Sequence, residues 1–252
     1  MTAWAALAIF AAGLGAGTIN VIVGSGSLIT FPTLLALGYP PVLANVSNNV
    51  GLVPGSASAV VAYRRELVGQ RDRLVKLGAA SLTGGICGAV LLLALPSAVF
   101  KAAIPALVLL ATVLMAIQPR VSAWLASRGD RHIHGGVPLL VGVFLTGIYG
   151  GYFGAAQGVI LISLLAIFID DDLQVLNGTK NALALIVNGV AAVVFILSTN
   201  VEWSVVALIA AGSIIGGQLG GHYGRRLPTA ILRACIVAVG LGVAIVLAIE
   251  WH

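Results

Sequence analysis

Apolar stretches of about 17 to 25 residues follow one another along the whole chain, the length a helix needs to cross a bilayer. No Asp, Glu, Lys or Arg occurs before Arg64. The alternating pattern of about ten residues that marks an outer-membrane barrel strand is absent. A water-soluble domain is excluded by composition. Only 8% of the 252 residues are charged, against about 25% in soluble proteins, and the mean hydropathy is +1.09. The sequence therefore reads as an all-α polytopic membrane protein.

Net charge is +5, but its distribution argues against nucleic acid as a partner. Ten of the thirteen Lys and Arg residues cluster in three connections. These are Arg64, Arg65, Arg71, Arg73 and Lys76; then Arg120, Arg128 and Arg131; then Arg225 and Arg226. Cytoplasmic loops carry such an excess, so 64–76, 118–136 and 222–228 are expected on the cytoplasmic side. The remaining three cations, Lys101, Lys180 and Arg233, lie within apolar segments. Cys87 and Cys235 also sit in apolar runs and read as packing residues. The N-terminal stretch lacks a basic n-region and reads as a retained first span.

Shifted by about 132 residues, the sequence superimposes on itself. The segment 84–117 matches 216–249, with Pro96 on Pro228 and Lys101 on Arg233. The segment 42–63 matches 175–196, placing Asn48 on Asn181, and Gly17, Gly24 and Gly26 fall on Gly147, Gly154 and Ala156. Two repeats follow, 1–118 and 137–252, joined by a basic cytoplasmic linker at 119–136. Each has about five helical segments, near 3–23, 27–38, 42–63, 74–95 and 98–117, then 137–153, 158–169, 173–198, 203–221 and 229–250. The second segment of each is too short to cross a bilayer upright. With all three basic loops inside, 222–228 is cytoplasmic whereas its repeat equivalent, Leu95-Pro96, is outside. The halves are therefore expected to be inverted-topology repeats, with both termini periplasmic, a substrate near the midplane and alternating access.

Each repeat interrupts its apolar run at one place, Gly24-Ser25-Gly26-Ser27 and Gly154-Ala155-Ala156-Gln157. A broken helix frees amide donors at the start of the short helix that follows, and the dipole there favours an anion. Tight packing of small residues is the plainer explanation of one glycine cluster; two at equivalent positions point to a transporter site. The next helices carry Asn45, Asn48 and Asn49 in one half and Asn177, Thr179, Lys180 and Asn181 in the other, with Asn188 continuing that face. These polar groups are expected to face the protein interior, as ligands or as interhelical glue.

Lys180 stands out, eight residues into an apolar helix with no carboxylate within four residues on either side. It either serves the substrate or snorkels toward Asp170, Asp171 and Asp172. Lys101 and Arg233 read as interface anchors or as gates at opposite mouths. Gly84/Gly88 and Gly212/Gly216/Gly220 read as helix-packing spacings. All four histidines lie in connections or at the end of the chain, and no Asp or Glu lies at membrane depth. Enzymatic chemistry, a metal site and a cofactor are accordingly not expected.

At these motifs the chain resembles the sulfite exporter TauE/SafE family. The features that carry the likeness are GLGAGTINVIVGSGSLITFPTLLALGYPPVLANVSNN and its echo GVFLTGIYGGYFGAAQGVILISLLAIF, followed by LNGTKNALALIVNGVAAVV. GSGS and GAAQ stand where the family's break is GIGGG-like, and Ile162 stands at the position matching Pro32. The resemblance implies transport of a small sulfur-containing anion: sulfite, thiosulfate or an organosulfonate. Expected partners are that anion and membrane lipid, and a homodimer is compatible with the sequence. An inside-negative potential expels an anion with about 2.3 kcal/mol per charge per 100 mV, which favours export. An importer coupled to H+ or Na+ and an anion channel are the alternatives. The substrate-binding candidates are Gly24, Ser25, Gly26, Ser27, Asn48, Asn49, Gly154, Ala155, Ala156, Gln157, Lys180 and Asn181.

Overall fold

In the computed structural model, residues 1–126 and 136–223 are described, together with 234, 237, 238, 241 and 242. Nine helices account for the two long stretches: α1 (Ala3–Ile22), α2 (Ser27–Ala36), α3 (Pro41–Ala62), α4 (Arg71–Ala94), α5 (Ser97–Ala126), α6 (Gly136–Tyr152), α7 (Gln157–Phe168), α8 (Leu173–Ser198) and α9 (Trp203–Tyr223). The expected segments recur within a few residues, apart from α5. Its apolar part, Ser97–Ile117, is the expected span, and the helix runs on to Ala126 into the basic linker. Most of the segment near 229–250, Arg233 included, lies outside the described residues.

Among the described residues, five helices are long and apolar enough to cross a membrane: α1, α4, α5, α8 and α9. The short α2 and α7 have 10 and 12 residues, which at 1.5 Å per residue gives about 15 and 18 Å. The exception among the long helices is α3. Its 22 residues suffice in length, but Asn45, Ser47, Asn48, Asn49, Ser56 and Ser58 lower its hydropathy. All six are buried, because α3 packs against α8 and α9 in the interior rather than against lipid. Side chains that would face lipid come from the outer helices, such as Leu109, Leu110 and Val113 on α5.

Packing follows the sequence repeat. Helix α1 lies along α9, and α6, the repeat mate of α1, lies along α4, the mate of α9. The small-residue spacings make both contacts. A Cβ at Gly84 or Gly88 would overlap the carbonyls of Phe144 or Ile148 on α6. At Gly216 or Gly220 it would overlap those of Leu14 or Thr18 on α1, which are the repeat mates of Phe144 and Ile148. Helix α3 packs on α9 and α8 on α4, and α3 meets α8 at the centre.

Polar contacts tie the ends together. Thr2 caps α1 by accepting from the Ala5 amide at 3.2 Å, and Asp172 caps α8 by accepting from Gln174 at 2.7 Å. Arg73, at the start of α4, pairs with Asp171 in the α7–α8 connection at 2.8 Å. At the beginning of α3, Ser47 Oγ accepts from the Glu202 amide in the α8–α9 connection at 3.0 Å.

Candidate functional site

Both breaks begin with the same backbone geometry. The amides of Val23 and Gly24 converge on the Ile19 carbonyl at 2.8 and 3.1 Å, and those of Phe153 and Gly154 on the Tyr149 carbonyl at 2.9 and 3.1 Å. The turn that follows needs positive φ, +86° at Gly24 and +79° at Gly154, which glycine adopts without steric cost. The chain then restarts as α2 and α7. The two breaks also touch each other. The Gly158 amide donates to the Gly24 carbonyl at 3.0 Å, and a Cβ on either residue would overlap the other's backbone.

Beyond the glycine the breaks differ. In the first, Gly26 has φ −57° and its amide donates to Asn20 Oδ1 at 2.9 Å. In the second, Ala156 is left-handed at φ 59°, a conformation costing a non-glycine residue roughly 1–2 kcal/mol. The hydroxyl of Tyr149 donates to the neighbouring Ala155 carbonyl at 2.6 Å. The side chains compensate in size. Asn20 in α1 faces the small Ser27, whereas its repeat mate Gly150 leaves room for Gln157, whose amide fills the place a Cβ would take.

The amides freed by the breaks are largely engaged within the turns. Besides Gly26, Leu28 donates to Ser25, Ile29 to Gly26, Gln157 to Gly154 and Val159 to Ala156, at 2.9 to 3.3 Å. The unengaged donors are side chains around a cavity of about 20 Å3, the space of one or two waters. The breaks contribute Gly24, Ser27, Gly154, Gln157 and Gly158 to its wall; Lys180, Asn181 and Asn188 come from α8, with Asn20 and Ser56 opposite. Among the described residues, no carboxylate lines it. Gln157 and Asn181 are buried, and the Nε2 of the one and the Nδ2 of the other have no hydrogen-bond partner.

The sequence candidates divide accordingly. Gly24, Ser27, Gly154, Gln157, Lys180 and Asn181 meet at the cavity. Ser25 turns away to donate to Met115 Sδ on α5 at 3.4 Å. Gly26, Ala155 and Ala156 shape the turns without lining the cavity. Asn48 accepts from Thr30 Oγ1 and donates to Ser27 Oγ at 3.3 Å, bracing α2 against α3. Asn49 also stands off the lining, its Oδ1 buried and unpartnered. Lys101 is exposed near the start of α5, as an interface anchor would be. Asn20 and Ser56 were not singled out by the sequence, nor was Gly158; Asn188 was seen only as the continuation of a polar face. A lone amide in an otherwise apolar span, one turn before a break, is the signal that marks Asn20.

Lys180 is 1% exposed, and its Nζ donates to the Val21 carbonyl at 3.1 Å. It does not run toward the acidic connection, where Asp171 pairs with Arg73 and Asp172 caps α8. Val21 lies in the last turn of α1, where carbonyls lack intrahelical partners and the dipole is negative. The other half has a matching contact. Asn45 on α3 donates its Nδ2 to the Tyr152 carbonyl at the end of α6, at 3.0 Å. Ser47, at the repeat position of Lys180, is uncharged. Thus each half's third helix caps the other half's first, once with an ammonium and once with a neutral amide.

The sequence profile of the family described as sulfite exporter TauE/SafE matches residues 9–247. A probable membrane transporter protein, ORF9 of a Sinorhizobium species, is 30% identical over 94% of this chain and 90% of its own. A probable membrane transporter protein of Haemophilus influenzae is 29% identical, over 91% and 89% of the two chains. The probable membrane transporter protein YfcA of Escherichia coli K12 is 26% identical, over 89% and 82%. No solved structure matches. With a polar cavity enclosed by apolar helices, the chain is a multi-pass membrane transporter and belongs to the sulfite exporter TauE/SafE family.

Proposed function

We propose that the protein carries a small sulfur-containing oxyanion, sulfite or thiosulfate or a compact organosulfonate, out of the cell. The observation that carries this reading is the convergence of three buried donors, Lys180 Nζ, Gln157 Nε2 and Asn181 Nδ2, on one cavity without a carboxylate. Two of them have no partner among the described residues, and a buried unmade hydrogen bond costs about 1–3 kcal/mol. A small anion admitted as the cavity widens would offer oxygens to all three. Gly24 and Gly154 bring the backbone of both halves to the same place, with Ser27 at its edge.

The halves 1–118 and 137–252 are taken to be inverted repeats that alternate access across the contact of their breaks. Reciprocal packing of α1 on α9 and α6 on α4 supports this. So do the end contacts. Arg73 with Asp171 joins connections that the inverted arrangement puts on the cytoplasmic face, and Ser47 with Glu202 joins ones it puts outside.

Thermal stability of the purified protein against sulfite, thiosulfate, sulfate, sulfoacetate, taurine and chloride tests the reading. A ligand at a hundred times its Kd stabilises by about 2.7 kcal/mol. Sulfite or thiosulfate should raise Tm where equimolar chloride does not. No rise with any sulfur anion would remove the assignment.

A further inference from the structure

We infer that Lys180 is a tethered counter-cation standing where a coupling ion would otherwise bind, so that the anion crosses alone, driven by the membrane potential without Na+ or H+. The inference rests on the anion reading above and adds how transport is energised.

The argument starts from the two caps. The Tyr152 carbonyl at the end of α6 is met by Asn45, a neutral amide, at 3.0 Å. At the end of α1 the Val21 carbonyl, next to the position equivalent to Tyr152, is met by the Lys180 ammonium at 3.1 Å. Since a neutral amide suffices for one, satisfying a carbonyl does not account for the charge at the other. In transporters with broken helices, helix C-terminal ends and unwound carbonyls are where a coupling cation is held. Here that place, the negative end of α1 at the rim of the anion cavity, is filled by a side chain of α8.

Burial strengthens the point. Lys180 is enclosed, and neither Asp nor Glu lines the cavity it shares with Gln157 and Asn181. A buried charge is costly unless paired, and the anion is the partner the cavity provides. Nor does the cavity offer a carboxylate that could hold a second cation or carry a proton. A lysine cannot leave with the substrate, so the net charge moved is the anion's own.

The test uses the full-length protein in liposomes, with potential clamped by valinomycin and K+, and sulfite measured at equal pH on both sides. The expected result is accumulation on the positive side, rising about tenfold per 60 mV for a singly charged anion and about a hundredfold for a doubly charged one. The rate should be unchanged when Na+ replaces N-methylglucamine, and a pH gradient at zero potential should drive no accumulation of thiosulfate, whose charge does not change near neutral pH. A requirement for Na+, or uphill movement of thiosulfate driven by the pH gradient alone, overturns the inference and leaves the anion reading standing. No flux of any sulfur anion overturns both. Lys180→Ser, which copies Ser47, gives a second readout by thermal stability. Loss of the sulfite-induced shift, whether or not Na+ or ammonium restores it, upholds the role of the charge; an undiminished shift without small cations overturns it.

Discussion

The Gly158 amide donates to the Gly24 carbonyl at 3.0 Å, joining two helix breaks 134 residues apart in sequence through their backbones. Each glycine is also the only residue type that fits. A Cβ at Gly24 would overlap Gly158 Cα, and one at Gly158 would overlap Gly24 Cα. Gly24 further needs φ +86°. Both glycines line the cavity.

Alanine at either position tests how much depends on it. Gly158→Ala must force the breaks apart, and overpacking a tight contact typically costs about 1–3 kcal/mol. Gly24→Ala adds left-handed strain of roughly 1–2 kcal/mol. Thermal unfolding in detergent should therefore rank wild type above Gly158→Ala and Gly158→Ala above Gly24→Ala. Equal Tm values would mean that the breaks do not bear on each other.

Lys180→Ala should abolish the stabilising effect of sulfite while the protein still inserts and elutes as a single species. Hydrogen bonds to charged groups contribute about 1.5–3 kcal/mol, so affinity should fall at least tenfold and up to a hundredfold or more. The Val21 carbonyl loses its donor, which lowers stability of the empty protein as well. Titration calorimetry with sulfite separates the two effects, and unchanged affinity would remove Lys180 from the site.

Gln157 offers a test in which stability and binding move in opposite directions. Its Nε2 is buried without a partner, and its amide occupies the space left by Gly150. Replacing a donor that makes no bond in the empty protein by an apolar group of similar volume should not destabilise it. Gln157→Met should therefore keep or raise Tm in the absence of anion yet weaken sulfite about tenfold, near the 1.4 kcal/mol of one hydrogen bond. A variant that loses stability and keeps affinity would make the Gln157 amide a packing group.

Most of the fold was legible because spans and breaks are one-dimensional signals. Hydropathy located the helices, and the repeat located Gly24 against Gly154. The same repeat misled at the level of side chains. It equates Asn20 with Gly150 and Ser27 with Gln157, whereas the fold lets one pair exchange bulk for the other, so the cavity is asymmetric where the sequence repeats. Asn48 and Ser25 looked like ligands because they are polar at membrane depth. Their partners, Thr30 and Met115, come from packing that no local pattern reveals. The amide donors of the breaks looked free because only the folded turn supplies Asn20 and the Gly24 carbonyl to engage them.

The proposed inversion makes a prediction about membrane sides that single cysteines can decide. Val68, Leu173 and Trp203 are exposed, so cysteine at each should be tolerated in a background lacking Cys87 and Cys235. Val68 lies in the connection between α3 and α4, and Leu173 opens α8 beside Asp171, which pairs with Arg73. Trp203 opens α9, at the far end of α8. Under inversion Val68→Cys and Leu173→Cys are both cytoplasmic and resist an impermeant maleimide in intact cells, whereas Trp203→Cys is labelled. In parallel repeats the connection at 199–202 would be the counterpart of that between α3 and α4, so Val68→Cys and Trp203→Cys would label alike. The second outcome would overturn the inverted arrangement and, with it, alternating access across the Gly24–Gly158 contact.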